Sequence, residues 1–511
     1  FLETTSQLSA EYEKVMCYAY MREHEDTKDT KRQHMAKKMD PLGQTYGEKL
    51  SFFSNELLAI DENVLTSYYE ENERLRFYKA SLDQTLREKE HILTPEKEEV
   101  LAKTSRLFNA GKVFDKLDDT DIAFDPILKE DGTEIPLTHG TYGQYIHDPD
   151  RSIRKQAFEN LYRSYEQFKN TYAAIYDANL NEDVFSSDIR NYPSSLHQAL
   201  FSDNVSVDVY NNLIDRVKAN ASTMHRYVAL RKKMMGLDEL HMYDMYAPLV
   251  PEATQELTYE QAYDTMKEGL AVLGDEYINL LEEARTGGWI DVYETDGKAS
   301  GAYAWGPYGV HPYVLLNHRK DMNSMFTLAH EMGHAMHSHF SDRENPKLYA
   351  QYVIFVAEVA STVNEVLLMH HLLNKTKDKT LKMSLINEFL EKFKSTLFRQ
   401  TMFAEFEKIT HEKVENDEPM TADAFSEVYY QLNKEYYGDA LVHDEQIRLE
   451  WARISHFYRS FYVYQYATGF SAAIAIADRI LKEGQPAVDD YLAFLQSGGR
   501  DYPIELLKIA G

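Results

Sequence analysis

Two histidines four residues apart, with a glutamate beside the first, are the feature of this sequence best suited to chemistry: His330-Glu331-Met332-Gly333-His334. On an α-helix, positions i and i+4 sit about 40° apart, so His330 and His334 project from one face and can bind one metal ion. Neutral imidazoles suit Zn²⁺, which takes nitrogen ligands at ~2.0–2.1 Å in tetrahedral geometry. Glu331 then lies beside them, placed to take a proton from a metal-bound water. Chance sets the competing reading. With 19 His in 511 residues and Glu at roughly one position in ten, such a pentapeptide arises by accident in about one chain in sixteen. Two histidines on an ordinary satisfied helix face therefore stay in contention on these five residues alone.

A catalytic zinc site needs a third protein ligand and one open position. Glu358 stands alone among Phe355, Val356, Ala357, Val359 and Ala360. A carboxylate there must reach solvent or be paired, because burying it unpaired is costly, and a metal is one such partner. Glu365 lies seven residues on, two turns along the same helical face. It is placed either to hydrogen-bond a ligand imidazole or to sit in solvent. His337 and His339 follow the motif closely but exceed a tetrahedral quota, and His370-His371 read as surface or capping contacts.

These residues need a helix and something to hold it. Asp321 is the expected cap of a helix running through His334. Immediately upstream, Trp289 to Tyr293, Asp296-Gly297 and Gly301-Ala302-Tyr303 predict a hairpin, with Tyr313 to Leu316 as a further strand. Most of the remaining chain reads helical. Thr94-Pro95-Glu96 opens one helix with Gly111 as its expected stop. Asp148-Pro149 launches another, whose apolar residues Ile153, Ala157, Phe158, Leu161, Tyr165, Phe168, Tyr172 and Ile175 step by three and four. Similar periodicity runs through 207–235, 259–284 and 381–411. Asp131-Gly132 between Ile127-Leu128 and Ile135 marks a second, short hairpin. There is no fixed-period repeat, and the best boundary, a soft one, lies near 118–140, dividing an N-terminal helical region (1–135) from a larger domain (136–511).

Composition narrows the function classes. Asp and Glu number 83 against 55 Lys and Arg, a formal charge of −28. Phosphate binding needs a cationic face, so nucleic acid and anionic membrane surfaces are poor partners. The single Cys17 excludes an internal disulfide and suits a reducing cytosol. No apolar run approaches the ~18 residues that span a bilayer, and no signal peptide opens the chain. A cytoplasmic location is the resulting expectation, although Phe1 is not an initiator Met and trimmed termini are expected too.

The run Thr327 to His334, followed by Glu358 in Phe355-Val356-Ala357-Glu358-Val359-Ala360-Ser361-Thr362, resembles the thimet-oligopeptidase-like family of zinc metallopeptidases, and more narrowly its oligoendopeptidase F branch. Gly297 to Tyr303, Tyr313 to Asn317 and His456 to Phe470 resemble that branch in the same order, so the similarity extends over nearly the whole chain. The resemblance implies a mainly α, two-lobed body around a deep channel, with a small β-sheet beside the motif helix. It implies one zinc per chain held by His330, His334 and Glu358, with Glu331 as general base. It further implies that His456, Tyr462 and Tyr466 contact the substrate, with Tyr464 as an alternative. Without the resemblance, Tyr458, Tyr462 and Tyr466 at four-residue steps read as core packing on one helix. The implied activity is endopeptidase cleavage of short oligopeptides. Rival readings are a zinc carboxypeptidase or peptidyl-dipeptidase of related architecture, a zinc hydrolase of non-peptide substrates, and a non-catalytic helical binding protein.

Overall fold

The computed structural model describes residues 1–104, 108–250 and 256–511. The chain is mainly helical, and among the described residues its strands form only two two-stranded sheets and one three-stranded sheet. It divides into two compact units, each assembled from separate stretches of sequence. Among the described residues no helix is long and apolar enough to cross a membrane.

One unit comprises Phe1–Glu90, Ala253–Lys377 and Gly469–Gly511. Its N-terminal part is a helix over Leu2–Glu25 followed by short helices, with a small core of Leu57, Leu65, Tyr69 and Leu82. At its centre lies the motif helix, Met322–Glu344. Asp321 starts it, accepting a hydrogen bond from the Ser324 amide at 2.7 Å, as expected of an aspartate in the cap position. Met325, Leu328, Ala329, Met332, Ala335, Met336 and Phe340 of this helix are completely buried. They pack against the helices Ile354–Lys375, Gln485–Ser497 and Tyr259–Leu270 and against the strand Tyr303–Trp305.

The sheet beside the motif helix departs from the predicted hairpin. Ile290–Asp291 and Tyr303–Trp305 do not pair with each other. Tyr313–Leu315 lies between them, parallel to the first (Ile290 opposite Val314) and antiparallel to the second (Ala304 opposite Val314). Asp296-Gly297 is therefore not a two-residue hairpin turn. The Thr27 amide donates to the Gly297 carbonyl, and Gly297 is in the left-handed region at φ 88°. Burial explains the order: Val314 and Leu315 are enclosed on both faces, which suits a central strand.

The second unit comprises His91–Glu252 and Asp378–Thr468. Its backbone is a 39-residue helix, Arg151–Ile189. Asp150 rather than Asp148 caps it, while Asp148, two residues earlier, accepts from the Asp150 amide. The predicted apolar stripe is buried along most of its length, joined by Tyr162 and Tyr176. The expected hairpin forms, with Ile127 opposite Ile135 and Gly132 at φ 79°. Gly111 does not stop a helix: the helix from Pro95 is described to Thr104, and Gly111 sits inside the next one, Ala110–Lys116. The three long periodic stretches are each interrupted. The break falls at Asn220, at a 3₁₀ turn over Ala271–Leu273 (in the first unit), and at a π-helical turn over Phe393–Phe398.

Candidate active site

The motif helix and the helix Ile354–Lys375 cross at unusually short range, and a glycine makes this possible. A Cβ on Gly333 would lie 2.5 Å from Ser361 Cα and 2.8 Å from the Ala360 carbonyl oxygen. Only a residue without a side chain fits there. The contact brings Glu358, just inside its own helix, opposite His330 and His334. Asn364 ties the two helices together on their buried side. Its amide donates to the Ala329 carbonyl (3.1 Å), and its own oxygen accepts from the Tyr277 hydroxyl (2.9 Å).

His330, His334 and Glu358 form the one group of three or more potential metal ligands among the described residues, with all three donor atoms within 4.8 Å of one another. The two Nε2 atoms are 3.2 Å apart, and Glu358 lies 3.5 Å from His330 Nε2 and 3.9 Å from His334 Nε2. Two ligands at ~2.05 Å in tetrahedral geometry stand about 3.3 Å apart, so this spacing fits a zinc-sized ion. The donor set, two imidazoles and one carboxylate, is equally suitable. Burial and the neighbouring His330 push the His334 imidazole down to about 3, which keeps it neutral as a ligand must be.

The other nitrogen of His330 is also fixed. Nδ1 lies 2.6 Å from Glu365 Oε1, so of the two readings of Glu365 the structure selects the hydrogen bond. An Nδ1–H donated to that carboxylate leaves the Nε2 lone pair facing the other two donors. Replacing Glu365 with Leu is accordingly expected to weaken metal affinity by about 10–100-fold with little change in secondary structure. Metal titration of the stripped protein, followed by circular dichroism, measures both, and parental affinity in the variant would count against the hydrogen bond's importance.

Glu331 follows His330, the first of the three donors, along the motif helix. It is 6% exposed, and its Oε2 has no hydrogen-bond partner among the described residues. Burial pushes its carboxyl up to about 7, reinforced by Glu358 and opposed by His330 and the Ala304 backbone amide. A carboxyl poised near neutrality can both accept and return a proton. Ala304 belongs to the strand Tyr303–Trp305, which lies at one edge of the sheet. Gly306 seats the end of that strand on the motif helix, since a Cβ there would lie 2.4 Å from Ser338 Cβ. A cleft of about 420 Å³ lined by Gly301, Ala302, Asn317, Thr327 and Glu331 opens beside it.

The remaining histidines of the motif helix serve packing. His337 is buried and stacks on Tyr352 at 3.6 Å between ring centroids, and His339 lies against Trp289. In the second unit, His456, Tyr462 and Tyr466 do gather, with centroids 6.4 Å (His456–Tyr462), 6.0 Å (His456–Tyr466) and 5.4 Å (Tyr462–Tyr466) apart. Tyr458, Tyr462 and Tyr466 do not share one helix as their four-residue spacing predicts. A 3₁₀ turn over Ser455–Tyr458 ends before Phe461, whose φ of 60° reverses the chain, and a new helix begins at Tyr464. That break separates the tyrosines by environment. Tyr464 is buried against Tyr210, while Tyr462 and Tyr466 stay partly accessible and His456 is exposed.

The profile of Peptidase family M3 matches residues 144–511, and that of Oligopeptidase F matches 56–124. The chain belongs to peptidase family M3. It is 43% identical over 495 residues to oligopeptidase PepF of Bacillus subtilis, covering 97% of this chain and 74% of that one. It is 38% identical over 510 residues to group B oligopeptidase PepB of Streptococcus agalactiae, covering 100% and 85%. Among solved structures, oligoendopeptidase-F from Enterococcus faecium superposes with a TM-score of 0.77 at 34% identity, over 100% of this chain and 87% of that one. The resemblance read from the motifs is thereby borne out, and with it the largely helical fold. Family membership makes the chain a metalloendopeptidase, and the His-His-Glu group is where its described residues can hold a metal.

Proposed function

We propose that the protein is a zinc-dependent oligoendopeptidase that hydrolyses internal bonds of short peptides. The observation that carries this is the three-donor group at zinc spacing with a buried, partnerless carboxylate oxygen on Glu331 next to it. His330, His334 and Glu358 would hold one zinc ion. Zinc in such a site supplies Lewis acidity, polarising a carbonyl oxygen and lowering the pKa of water toward neutrality.

The chain's own residues do the rest. Glu331 takes the proton of the attacking water and delivers it to the leaving amine, a role its raised affinity for protons suits. Glu365 holds His330 in the tautomer that presents Nε2. The outer edge of Tyr303–Trp305 and the small residues Gly301 and Ala302 pair with an extended peptide backbone, fixing register without demanding a side-chain sequence. Either Tyr462 or Tyr466, with His456 beside them, donates a hydrogen bond to the oxyanion of the tetrahedral intermediate. Their clustering and partial exposure support this, as does the family resemblance of the segment. The catalytic domain is taken as 136–511, with 1–135 an N-terminal helical region, a reading supported by the Peptidase family M3 match over 144–511.

The test is a digest of terminally blocked and free peptides by the full chain, with metal analysis of the same preparation. The expected result is about one zinc per chain, internal cleavage of blocked peptides, loss of activity on chelation and recovery on adding zinc. Cleavage confined to free-ended peptides would move the reading to a carboxypeptidase or peptidyl-dipeptidase. Full activity in excess chelator would end the metal assignment.

A further inference from the structure

The segment that carries His456 and Tyr462 contains, among the described residues, the one bulky side chain on a positive-φ backbone. Phe461 has φ 60°, in the left-handed region where an aromatic side chain is a true outlier. Among the described residues the other three non-glycine residues with positive φ are Asn191, Asn204 and Asp417, which tolerate it. A bulky residue stays there only when its surroundings over-determine it. Here the holding contacts can be named.

The Phe461 amide donates to Glu407 Oε1 at 2.9 Å. Glu407 lies mid-helix in Arg399–Glu415 and is completely buried; its Oε2 has no partner among the described residues. Burial raises its carboxyl well above the usual range. One residue earlier, the Ser460 hydroxyl donates to Asp183 Oδ2 at 2.5 Å. Asn179 donates to the Phe457 carbonyl (3.4 Å) and to Ser460 Oγ (3.2 Å). His411 bridges the Glu407 carbonyl (2.8 Å) and Asp183 (3.1 Å), and its ring packs on Phe461 with centroids 4.3 Å apart. Two helices thus grip the turn at its strained residue and at the residues before it.

A buried carboxyl with an idle oxygen is a costly way to hold a loop unless it meets a need that an apolar residue cannot. What an apolar residue cannot do is accept the Phe461 amide. We infer that Glu407 is a positioning residue for the peptidase reaction: by capturing the Phe461 amide it holds the left-handed turn that sets Tyr462 against His456 and Tyr466. This rests on the role proposed for Tyr462, and the experiment separates the two.

Glu407→Gln, Glu407→Leu, Tyr462→Phe and the double variant Glu407→Leu/Tyr462→Phe are compared for kcat, KM, zinc content and Tm on a blocked quenched-fluorescence peptide. Tyr462→Phe is expected to lower kcat by about 10²-fold, the scale of losing one oxyanion donor. Glu407→Leu should lower kcat similarly, with KM within about threefold, unchanged zinc and no loss of cooperative unfolding. Glu407→Gln, which retains an oxygen acceptor in the same shape, should restore kcat to within about threefold of the parent. In the double variant the two losses should not multiply, because both remove the same hydrogen bond. Parental kcat in Glu407→Leu beside an impaired Tyr462→Phe overturns the inference and leaves the Tyr462 assignment standing. So does a double variant in which the losses multiply, or a Gln variant as slow as Leu. Parental kcat in Tyr462→Phe overturns the Tyr462 assignment itself, and the inference with it.

Discussion

Glu331→Gln is expected to retain one zinc per chain and to lose kcat/KM by about 10²–10⁴-fold, the usual contribution of a general base. The two halves of that expectation have separate causes. Metal retention follows because the donor atoms belong to His330, His334 and Glu358, and because Gln has the shape of the residue it replaces. Loss of turnover follows because an amide cannot accept a proton from water. The carboxyl it replaces is buried, has an oxygen without a protein partner, and is pushed up to about 7 by that burial. Metal analysis and quenched-peptide kinetics on one preparation read both halves. Parental turnover would remove Glu331 from the base role, and co-loss of zinc would place it in the ligand set instead.

The parts of the site that depend on residue type and helical spacing were legible in the amino-acid sequence. His330 and His334 share a face because any helix puts i and i+4 there. Glu365 lies two turns from Glu358 for the same reason, and its choice between solvent and His330 was open until the two helices could be placed. What spacing cannot convey is how closely two elements approach, or where a helix fails to form. Gly333 has no part in the spacing argument, yet it sets the distance between the helices that carry His330, His334 and Glu358. Asn364 and Tyr277, which lock those helices, carry no pattern at all. The hairpin expected over 289–303 failed because strand pairing is decided by a third segment, Tyr313–Leu315, whose burial makes it the central strand. The tyrosines at four-residue steps failed as a helix because Phe461 turns the chain, and nothing in an aromatic residue's identity signals a positive φ. The hold on that residue comes from Glu407, 54 positions away.

The approach of the two helices yields the second large effect. Gly333→Val should abolish stoichiometric zinc binding and peptidase activity together, whereas Gly469→Ala, also close to a ligand, should change neither by more than about threefold. At Gly333 a Cβ would meet Ser361 Cα at 2.5 Å, Ala360 O at 2.8 Å and Ser361 N at 2.9 Å. All three are backbone atoms of a helix and cannot swing aside, so the helices must separate. Overpacking of this kind costs about 1–3 kcal/mol in a core, less than the 5–15 kcal/mol that holds a typical domain folded. The fold should therefore survive while the site does not. Glu358 already lies 3.5 and 3.9 Å from the two imidazole nitrogens, and a further ångström takes it beyond joint ligation with them. At Gly469 the nearest atoms to a new Cβ are Glu358 Cβ and Phe355 O, both at 3.7 Å, which is ordinary contact. Zinc stoichiometry with thermal unfolding of both variants decides the matter. A Gly333→Val protein that binds zinc at parental affinity would show that the helix spacing does not set the ligand geometry.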